Sequence, residues 1–538
     1  MNFGEELYNM DMIREEIAEI LIECENSQAR FCETFCADDF YDPWNTLHEE
    51  MFEAIDYALA QPETIYLAIS APRGLGKSTI CESLIKRQIV FQKGHFLGYL
   101  SNSATSAERY TENVKQALLT EDSYRNFGFE SILKPSDGID EALFRRMSFS
   151  KKTWVAGGKT LVLPRGAGQQ VRGLKWLRYR PDFWVVDDLE EDTFILNPTN
   201  RENLKLWFNG ALMKTFSRYQ KVNKMIYVDT VKHEDALLED LLESPRWMSV
   251  RLTAYNTNKY GRYVTVDPGY MTQEELDDEV AYHQDRGIMD VFAREFGSQP
   301  TSREDNPFLK HIQYYDEADD KFIEEYRDSL INFLIVDPAR TKNPKSADTG
   351  FLVCGFHPEK QRIFIRLAMG EKLHINEQYD RIFELIKQYK CVAYGVETTG
   401  LKEHISYHLK NEQSLRGLHS VHFEELQARS GQGIFAGLEG GKVGRAKSAL
   451  PFYQRGVVYH NKHATAKLDL QIAGFPRNKY WDVIDCLGYL AQMLSLGELF
   501  MFTGAGTRHD YTREQAEAEY AVLAPMTPIS VLQQNRKR

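Results

Sequence analysis

Residues 64–89 read TIYLAISAPRGLGKSTICESLIKRQI. A short apolar, β-rich run gives way to a glycine-bearing turn and then to a stretch with helical spacing. A strand–loop–helix unit of this kind gathers the first backbone N–H groups of the helix around an anion, at the positive end of the helix dipole. The loop Ala71-Pro72-Arg73-Gly74-Leu75-Gly76-Lys77-Ser78, continued by Thr79, therefore predicts phosphate binding, with Ala71 where the pattern usually begins with glycine. Gly74 and Gly76 let the backbone approach phosphate oxygens, Lys77 offsets β- and γ-phosphate charge, and the Ser78 hydroxyl ligates magnesium. The expected cofactors are ATP and Mg2+.

Such a loop needs an acid at the end of a neighbouring strand, and FWVVDDLEE (183–191) supplies it. Asp187 is the expected magnesium acid, and either Asp188 or Glu190 orients the attacking water. Arg73 in the loop and Arg172 in a basic, glycine-rich run are the arginines expected to stabilise the γ-phosphate, on their own site or a neighbouring subunit's. Asp229-Thr230 ends the strand MIYVDT (225–230), where coupling motifs of translocating ATPases lie. Further strands are expected at FLGYLSN (96–102) and KTLVLP (159–164), so the first half reads as a mostly parallel α/β sheet.

The first 60 residues read as acidic helices, with Met12, Ile13, Ile17, Ile20 and Leu21 at helical spacing and a second amphipathic run from Thr46 to Leu59. They hold 16 acids and 2 bases, so the net charge of -13 leaves the remaining residues close to neutral. Two basic stretches survive that balance: 151–180 has eight Lys/Arg and no acid, and 431–480 has eight against Glu439 and Asp469. Phosphate backbones respond to such patches. The 538-residue length predicts two or more domains. Seven scattered cysteines without a C-x-x-C pair read as reduced core thiols, and no apolar run is long enough for a membrane span, so a cytosolic chain with no membrane partner is expected.

Polar, acid-rich residues 303–330 read as a linker. Beyond it NFLIVD (332–337), GFLVCGF (350–356), RIFIRLAMG (362–370), VAYGVE (392–397) and VVYHN (457–461) predict a second α/β domain, with helices at 376–389 and 482–495. Asp337 and Glu397 end two of these strands, and Asp482 and Asp485 lie three apart in WDVIDCLGYLAQML. Carboxylates delivered by several rigid elements are what a nuclease using a pair of magnesium ions requires, with manganese able to substitute. Asp348, in KSADTG, reads either as a fourth ligand or as a turn acid, the turn being favoured. Lys442, Arg445 and Lys447 are expected to bring DNA phosphates to the metals.

The run GQQVRGLKWLRYRPDFWVVDDLEEDTFILNPTNRENLKLWF (168–208), together with PRGLGKST, IVDPART, KVGRAKSALPFYQRGVVYH and WDVID, resembles the large terminase subunits of tailed bacteriophages over roughly residues 40 to 495. The resemblance implies an N-terminal P-loop, ASCE-type ATPase domain and a C-terminal RNase H-like nuclease domain. On that reading 1–60 leads into an ATPase domain at 61–302, the linker is 303–330, the nuclease domain is 331–503, and 504–538 is a tail mobile at its end. It also implies double-stranded DNA as substrate, a homo-oligomeric ring, a portal protein and a small terminase subunit as partners, and a place in the host cytoplasm and transiently at the procapsid portal vertex. Lys77, Ser78, Arg73 and Asp187 match the ATPase pattern, and Asp337, Glu397 and Asp482 or Asp485 the nuclease acids. Asp187-Asp188 replaces the commoner Asp-Glu pair, and Asp229-Thr230-Val231 stands where many members have Gly-Thr-Pro. The alternatives are a helicase-type ATPase-nuclease of repair or recombination, distinguished by strand separation without procapsids, and a DNA-binding scaffold with decayed sites.

Overall fold

A computed structural model describes residues 3–40, 43–120, 124, 127, 150–217, 219, 222–299, 306–339, 348–398, 402–427, 441–476 and 481–494. The tail expected at 504–538 lies outside them, as do Arg340 and Thr341 of IVDPART. The described residues fall into two units, one within Met1–Asn258, Arg262–Lys310 and Asp469–Lys479, the other within Lys259–Gly261, His311–Leu468 and Tyr480–Arg538. Among them no helix is long and apolar enough to cross a membrane.

The first unit is built on strands β1 (Ile65–Ser70), β2 (Phe96–Ser101), β3 (Trp154–Ala156), β4 (Thr160–Gly166), β5 (Phe183–Asp187), β6 (Lys224–Asp229) and β7 (Met248–Arg251). Their order is β3-β4-β2-β5-β6-β1-β7, parallel throughout except for the β3–β4 hairpin. A parallel sheet must be covered on both faces, and alternate residues do divide between two cores. Leu67, Ile69, Leu97, Val185 and Val228 pack with Ile80, Leu84 and Ile85 of the helix Lys77–Val90. Ala68, Leu100, Trp184, Val186 and Tyr227 pack on the other side with Leu204, Phe208, Leu238 and Leu241. The strand that feeds the glycine-bearing loop and the strand that ends in acids flank β6, which is the strand order of an ASCE-type P-loop ATPase. The N-terminal stretch is helical over Phe3–Asn26, Gln28–Phe35 and Thr46–Ala60, the last opened by an Asn45 capping box. All seven cysteines are free and buried.

A two-stranded ribbon pairs β8 (Tyr255–Thr257) with β9 (Tyr263–Thr265). The second unit holds β10 (Gln313–Tyr315), β11 (Ile331–Asp337), β12 (Thr349–His357), β13 (Arg362–Glu371), β14 (Ala393–Glu397), β15 (His422–Leu426) and β16 (Val458–Asn461), in the order β10-β16-β13-β12-β11-β14-β15. Strands β11, β12 and β13 form an antiparallel meander, whereas β14 joins β11 in parallel after the helix Ile375–Tyr389 and β15 follows in parallel. Three antiparallel strands continued by two parallel ones, in the order β13-β12-β11-β14-β15, make this sheet RNase H-like. Within 303–330, the strand β10 and the helix Asp320–Glu325 are regular structure of this unit.

Candidate active sites

The phosphate loop leaves β1 at Ser70 and enters the helix at Lys77. Gly74 and Gly76 have φ of +82° and +71°, a left-handed backbone that a side chain would strain. A Cβ on Gly74 would meet nothing within 4 Å, so glycine is needed there for conformation and the space above the loop is open. The loop is fastened from outside. Arg73 N donates to Glu295 O at 2.8 Å, the Tyr270 hydroxyl donates to Arg73 O, and the His48 ring meets Leu75 O at 3.1 Å. Ala71 and Pro72 are buried, Ser78 and Thr79 half-buried. Lys77 Nζ is laid back on Pro72 O at 2.8 Å and Ala71 O at 3.3 Å. Burial pulls its ammonium below the usual lysine range, opposed by Asp229, Asp188 and Asp187.

Asp187 ends β5 with 1% of its surface exposed. Its Oδ2 accepts from the Tyr99 hydroxyl at 2.8 Å, and the Ser78 hydroxyl is within hydrogen-bonding reach of the carboxylate. Burial pushes its pKa up to about 6, and its Oδ1 is buried without a partner. An orphaned buried carboxylate oxygen beside a hydroxyl is the donor set of a hard divalent cation, so these residues fit the magnesium expected here.

The three acids that follow have different roles. Asp188 leaves the strand with φ of +46° and is about half exposed (47%). It pairs with Lys232 and accepts from Asn102 Nδ2 at 3.4 Å. Glu190 is 2% exposed, and its two oxygens accept from Leu237 N at 2.8 Å and Leu238 N at 3.1 Å. It therefore caps the helix Leu237–Glu243. Asp229 ends β6 fully buried, its carboxyl pushed up to about 8 by burial. It accepts from Lys232 Nζ at 3.0 Å and from Thr230 N at 2.7 Å, while Asp229 O accepts from Ala71 N and the Thr230 hydroxyl donates to Ala71 O. Asp229-Thr230 thus holds the first residue of the phosphate loop. Lys232, also in contact with Glu190 O, was given no place by the sequence reading; only its spacing, three residues after a strand-end acid, could have signalled it.

Arg73 is 76% exposed on its side chain, with its guanidinium 3.7 Å from Glu295. Arg172 is exposed and donates to Gly210 O at 3.2 Å, without contact to the phosphate loop among the described residues. Because the Glu190 carboxylate serves two helix-terminal N–H groups, Glu190→Ala is expected to lower stability by about 1–3 kcal/mol. Urea unfolding of the full chain checks this, and a variant as stable as wild type would show that the cap contributes nothing.

In the second unit the ladder places Asp337 opposite Gly350, and Gly350 opposite Gly370. A Cβ on Gly350 would lie 2.0 Å from Asp482 O. That bare strand position lets the helix Asp482–Leu487 settle on β12 and brings its acids to the end of β11. Asp337 is within hydrogen-bonding reach of Glu397, which accepts from the Tyr489 hydroxyl at 2.7 Å. Burial, then the charges of Glu397 and Asp485, hold the Asp337 carboxyl well above its ordinary range. Asp485 accepts salt bridges from Lys442 at 3.1 Å and Arg445 at 3.3 Å. Asp482 instead lies 3.8 Å from Lys467, which pairs with Asp348; Asp348 is also 3.2 Å from Lys372. The structure therefore groups Asp337, Glu397 and Asp485, and sets Asp482 with Asp348 and Lys467.

Two of the three expected DNA-contacting residues, Lys442 and Arg445, are on Asp485; Lys447 is half-exposed on the same helix, Gly441–Lys447. Among the described residues no three acids, histidines or cysteines stand close enough to hold a metal as they are. The donor chemistry nevertheless fits a hard cation: the oxygens are carboxylate, negative charge accumulates at Asp337, and Asp482 Oδ1 is buried without a partner. Gly350→Ala is expected to cost about 1–3 kcal/mol through overpacking and to lower cutting of DNA by displacing the Asp482–Leu487 helix, with ATP turnover retained. Nuclease and ATPase assays on one preparation check this; cutting at the wild-type rate would mean the close approach does not position the acids.

No family model matches the sequence, and no curated protein matches it. Solved structures do match. The large terminase of a thermophilic bacteriophage aligns with 81% of this chain and 96% of its own, at 9% identity and a TM-score of 0.26. The large terminase ATPase domain of Thermus phage P74-26 aligns with 50% of this chain and 98% of its own, at 11% identity and a TM-score of 0.32. The human cytomegalovirus terminase nuclease domain aligns with 36% of this chain and 94% of its own, at 12% identity and a TM-score of 0.25. The structures to which this chain is similar are thus large terminases and their separate ATPase and nuclease domains.

Proposed function

We propose that this chain is the large subunit of a viral DNA-packaging terminase, hydrolysing ATP to move double-stranded DNA into procapsids and cutting concatemeric DNA with a metal-dependent site. The observation that carries the reading is the presence on one chain of two acid-bearing sheet ends. One sets Lys77 and Ser78 against Asp187 with its orphaned oxygen, and the other gathers Asp337, Glu397 and Asp485.

In the first, Lys77 would offset the charge of the β- and γ-phosphates, and Ser78 and Asp187 would hold magnesium. Asp188 orients the attacking water, because its carboxylate is half exposed whereas that of Glu190 is committed to a helix end. Arg73, on the exposed rim of the loop, is the favoured γ-phosphate arginine over Arg172. In the second, Asp337, Glu397 and Asp485 are the metal-holding acids and Asp482 supports them. A pair of divalent metals bound there would supply Lewis acidity to the scissile phosphate and its attacking water. Lys442 and Arg445, here paired with Asp485, would hold DNA phosphates beside these acids, and Lys447 would extend that contact. The ring, the portal protein, the small terminase subunit and the procapsid vertex in the host cytoplasm belong to the same proposal.

The test measures DNA-stimulated ATP turnover, cutting of plasmid DNA with Mg2+ or Mn2+, and packaging into procapsids with the full chain. Packaging together with both activities is expected. Strand separation without any dependence on procapsids would replace this reading by that of a helicase-nuclease.

A further inference from the structure

The basic run 151–180 contains a feature that the two candidate active sites do not use. Gln92, His95, Lys159, Trp176, Arg178 and Tyr179 are among the residues that line a cleft of about 450 Å3 in the first unit. It lies beside the residues that begin β2 and β4, whereas the phosphate loop and Asp187 follow the opposite ends of parallel strands. A strand of six residues at roughly 3.3 Å each separates the two edges, so the cleft is not a lobe of the nucleotide site.

Its lining combines aromatic faces with cations. The His95 and Tyr179 rings lie 4.1 Å apart and Trp176 lies 6.2 Å from Tyr179, both pairs within about 30° of parallel. The Arg178 guanidinium stands 5.2 Å from the Tyr179 ring centroid and donates to the Tyr179 hydroxyl at 3.0 Å. Lys159 is exposed at the rim, 3.2 Å from the Gln92 amide oxygen, and Lys175 and Arg180 are exposed on either side of the turn. Among the described residues no acid lines the cleft. The nearby carboxylate Asp182 is turned inward, accepting from His95 N at 2.8 Å and Phe96 N at 3.0 Å. The platform is held in shape before any ligand arrives. Trp176 and Tyr179 exchange two backbone hydrogen bonds of 2.9 and 2.8 Å around Leu177 at φ of +51°, and Trp176 is partly buried against the core.

Ring faces interleaved with cations, on a rigid turn and without acids, are what an unpaired nucleotide requires: a π-face for its base and positive charge for its phosphate. A paired duplex keeps its bases stacked and presents chiefly its backbone to such a surface, which would leave the ring faces unused. We infer that this cleft binds a nucleotide with an unpaired base, the base laid on the Tyr179 and Trp176 rings and the phosphate drawn to Lys159 and Arg178. The inference is independent of the ATPase and nuclease assignments. The same chemistry is offered by the unpaired end of a DNA strand and by a free nucleoside monophosphate.

The test uses the full chain and a 5′-phosphorylated single strand of about a dozen nucleotides carrying 5-iododeoxyuridine, a length within the range of single-strand sites. Irradiation and peptide mapping are expected to place a crosslink on His95 or on the peptide containing Trp176 and Tyr179; crosslinks found only elsewhere overturn the inference. In fluorescence anisotropy Tyr179→Ala is expected to weaken strand binding about tenfold, with Tyr179→Phe close to wild type. Lys159→Ala combined with Arg178→Ala should also weaken it and reduce the salt slope by about 1.4, the value for two phosphate contacts on a single strand. Binding of a blunt duplex should change little in either variant. Competition by thymidine monophosphate, run on Lys77→Ala chain to silence the phosphate loop, identifies the free nucleotide as source; displacement by strands alone identifies the DNA end. Strand binding unchanged in both cleft variants overturns the inference, and altered self-association without altered strand binding would assign the cleft to a protein contact instead.

Discussion

Lys77→Ala is expected to reduce ATP turnover by at least about a hundredfold to a thousandfold, the scale for removing a charge-stabilising donor from a phosphate site. Cutting of plasmid DNA in Mn2+ is expected to stay at the wild-type rate. The first part follows from the loop: Lys77 is the only basic side chain of the loop that also stands in the fields of Asp229, Asp188 and Asp187, and Arg73 is turned outward towards Glu295. The second follows from the folding of the two sheets as separate units with separate cores. Removing Lys77 also takes a buried cation from Asp187, Asp188 and Asp229, so a circular dichroism melt must show the variant folded before the loss is read as chemistry. Phosphate release and plasmid conversion measured on one preparation decide the matter. Loss of both activities in a folded variant would sink the idea of two independent sites.

The strands that carry the candidate sites were legible because they are long, apolar and bounded by acids or glycines. TIYLAIS, FWVVDD and NFLIVD correspond to β1, β5 and β11 within a residue or two at each end. Strands at sheet margins were not. MSVR of β7 is only half-buried, HFEEL of β15 carries two acids, and WVA of β3 has three residues, so none shows a hydrophobic period strong enough to read. The roles of the acids were legible only as a set. Nothing in DDLEE tells that Asp188 leaves the strand at positive φ while Glu190 turns towards a helix that begins 47 residues later. Likewise Asp482 and Asp485 are equivalent in spacing, and only the packing of their helix over Gly350 sends one to Lys467 and the other towards Asp337. Lys232 and the Trp176–Tyr179 turn depend on contacts between segments far apart in sequence, which no local pattern records.

Asp337→Asn is expected to eliminate cutting in Mg2+ or Mn2+, with a fall of about a thousandfold or more if the residue is a metal-holding acid, and to leave ATP turnover within about twofold of wild type. Its effect on stability has the opposite sign to that of an ordinary core change. Asp337 is held well above its ordinary range because its ionised form is desolvated and faces Glu397 and Asp485. A carboxyl whose folded pKa is raised destabilises the fold at pH above that value, and the penalty vanishes as the pH falls below its unfolded pKa, where both states are protonated. Asparagine keeps the shape and a donor towards Glu397 without the charge. The variant should therefore melt at or above the wild-type temperature in neutral and alkaline buffer, with the difference closing on acidification. Manganese should raise the melting temperature of wild type by preferential binding to the folded state and do so much less for the variant. A variant that still cuts would remove Asp337 from the site. One that loses cutting but is also strongly destabilised at neutral pH, with the same response to manganese as wild type, would make Asp337 a structural residue and leave the metal reading to Glu397 and Asp485. Loss of cutting with stability gained and metal response lost is the pattern of an acid kept for function at the expense of the fold, and no packing role for Asp337 produces it.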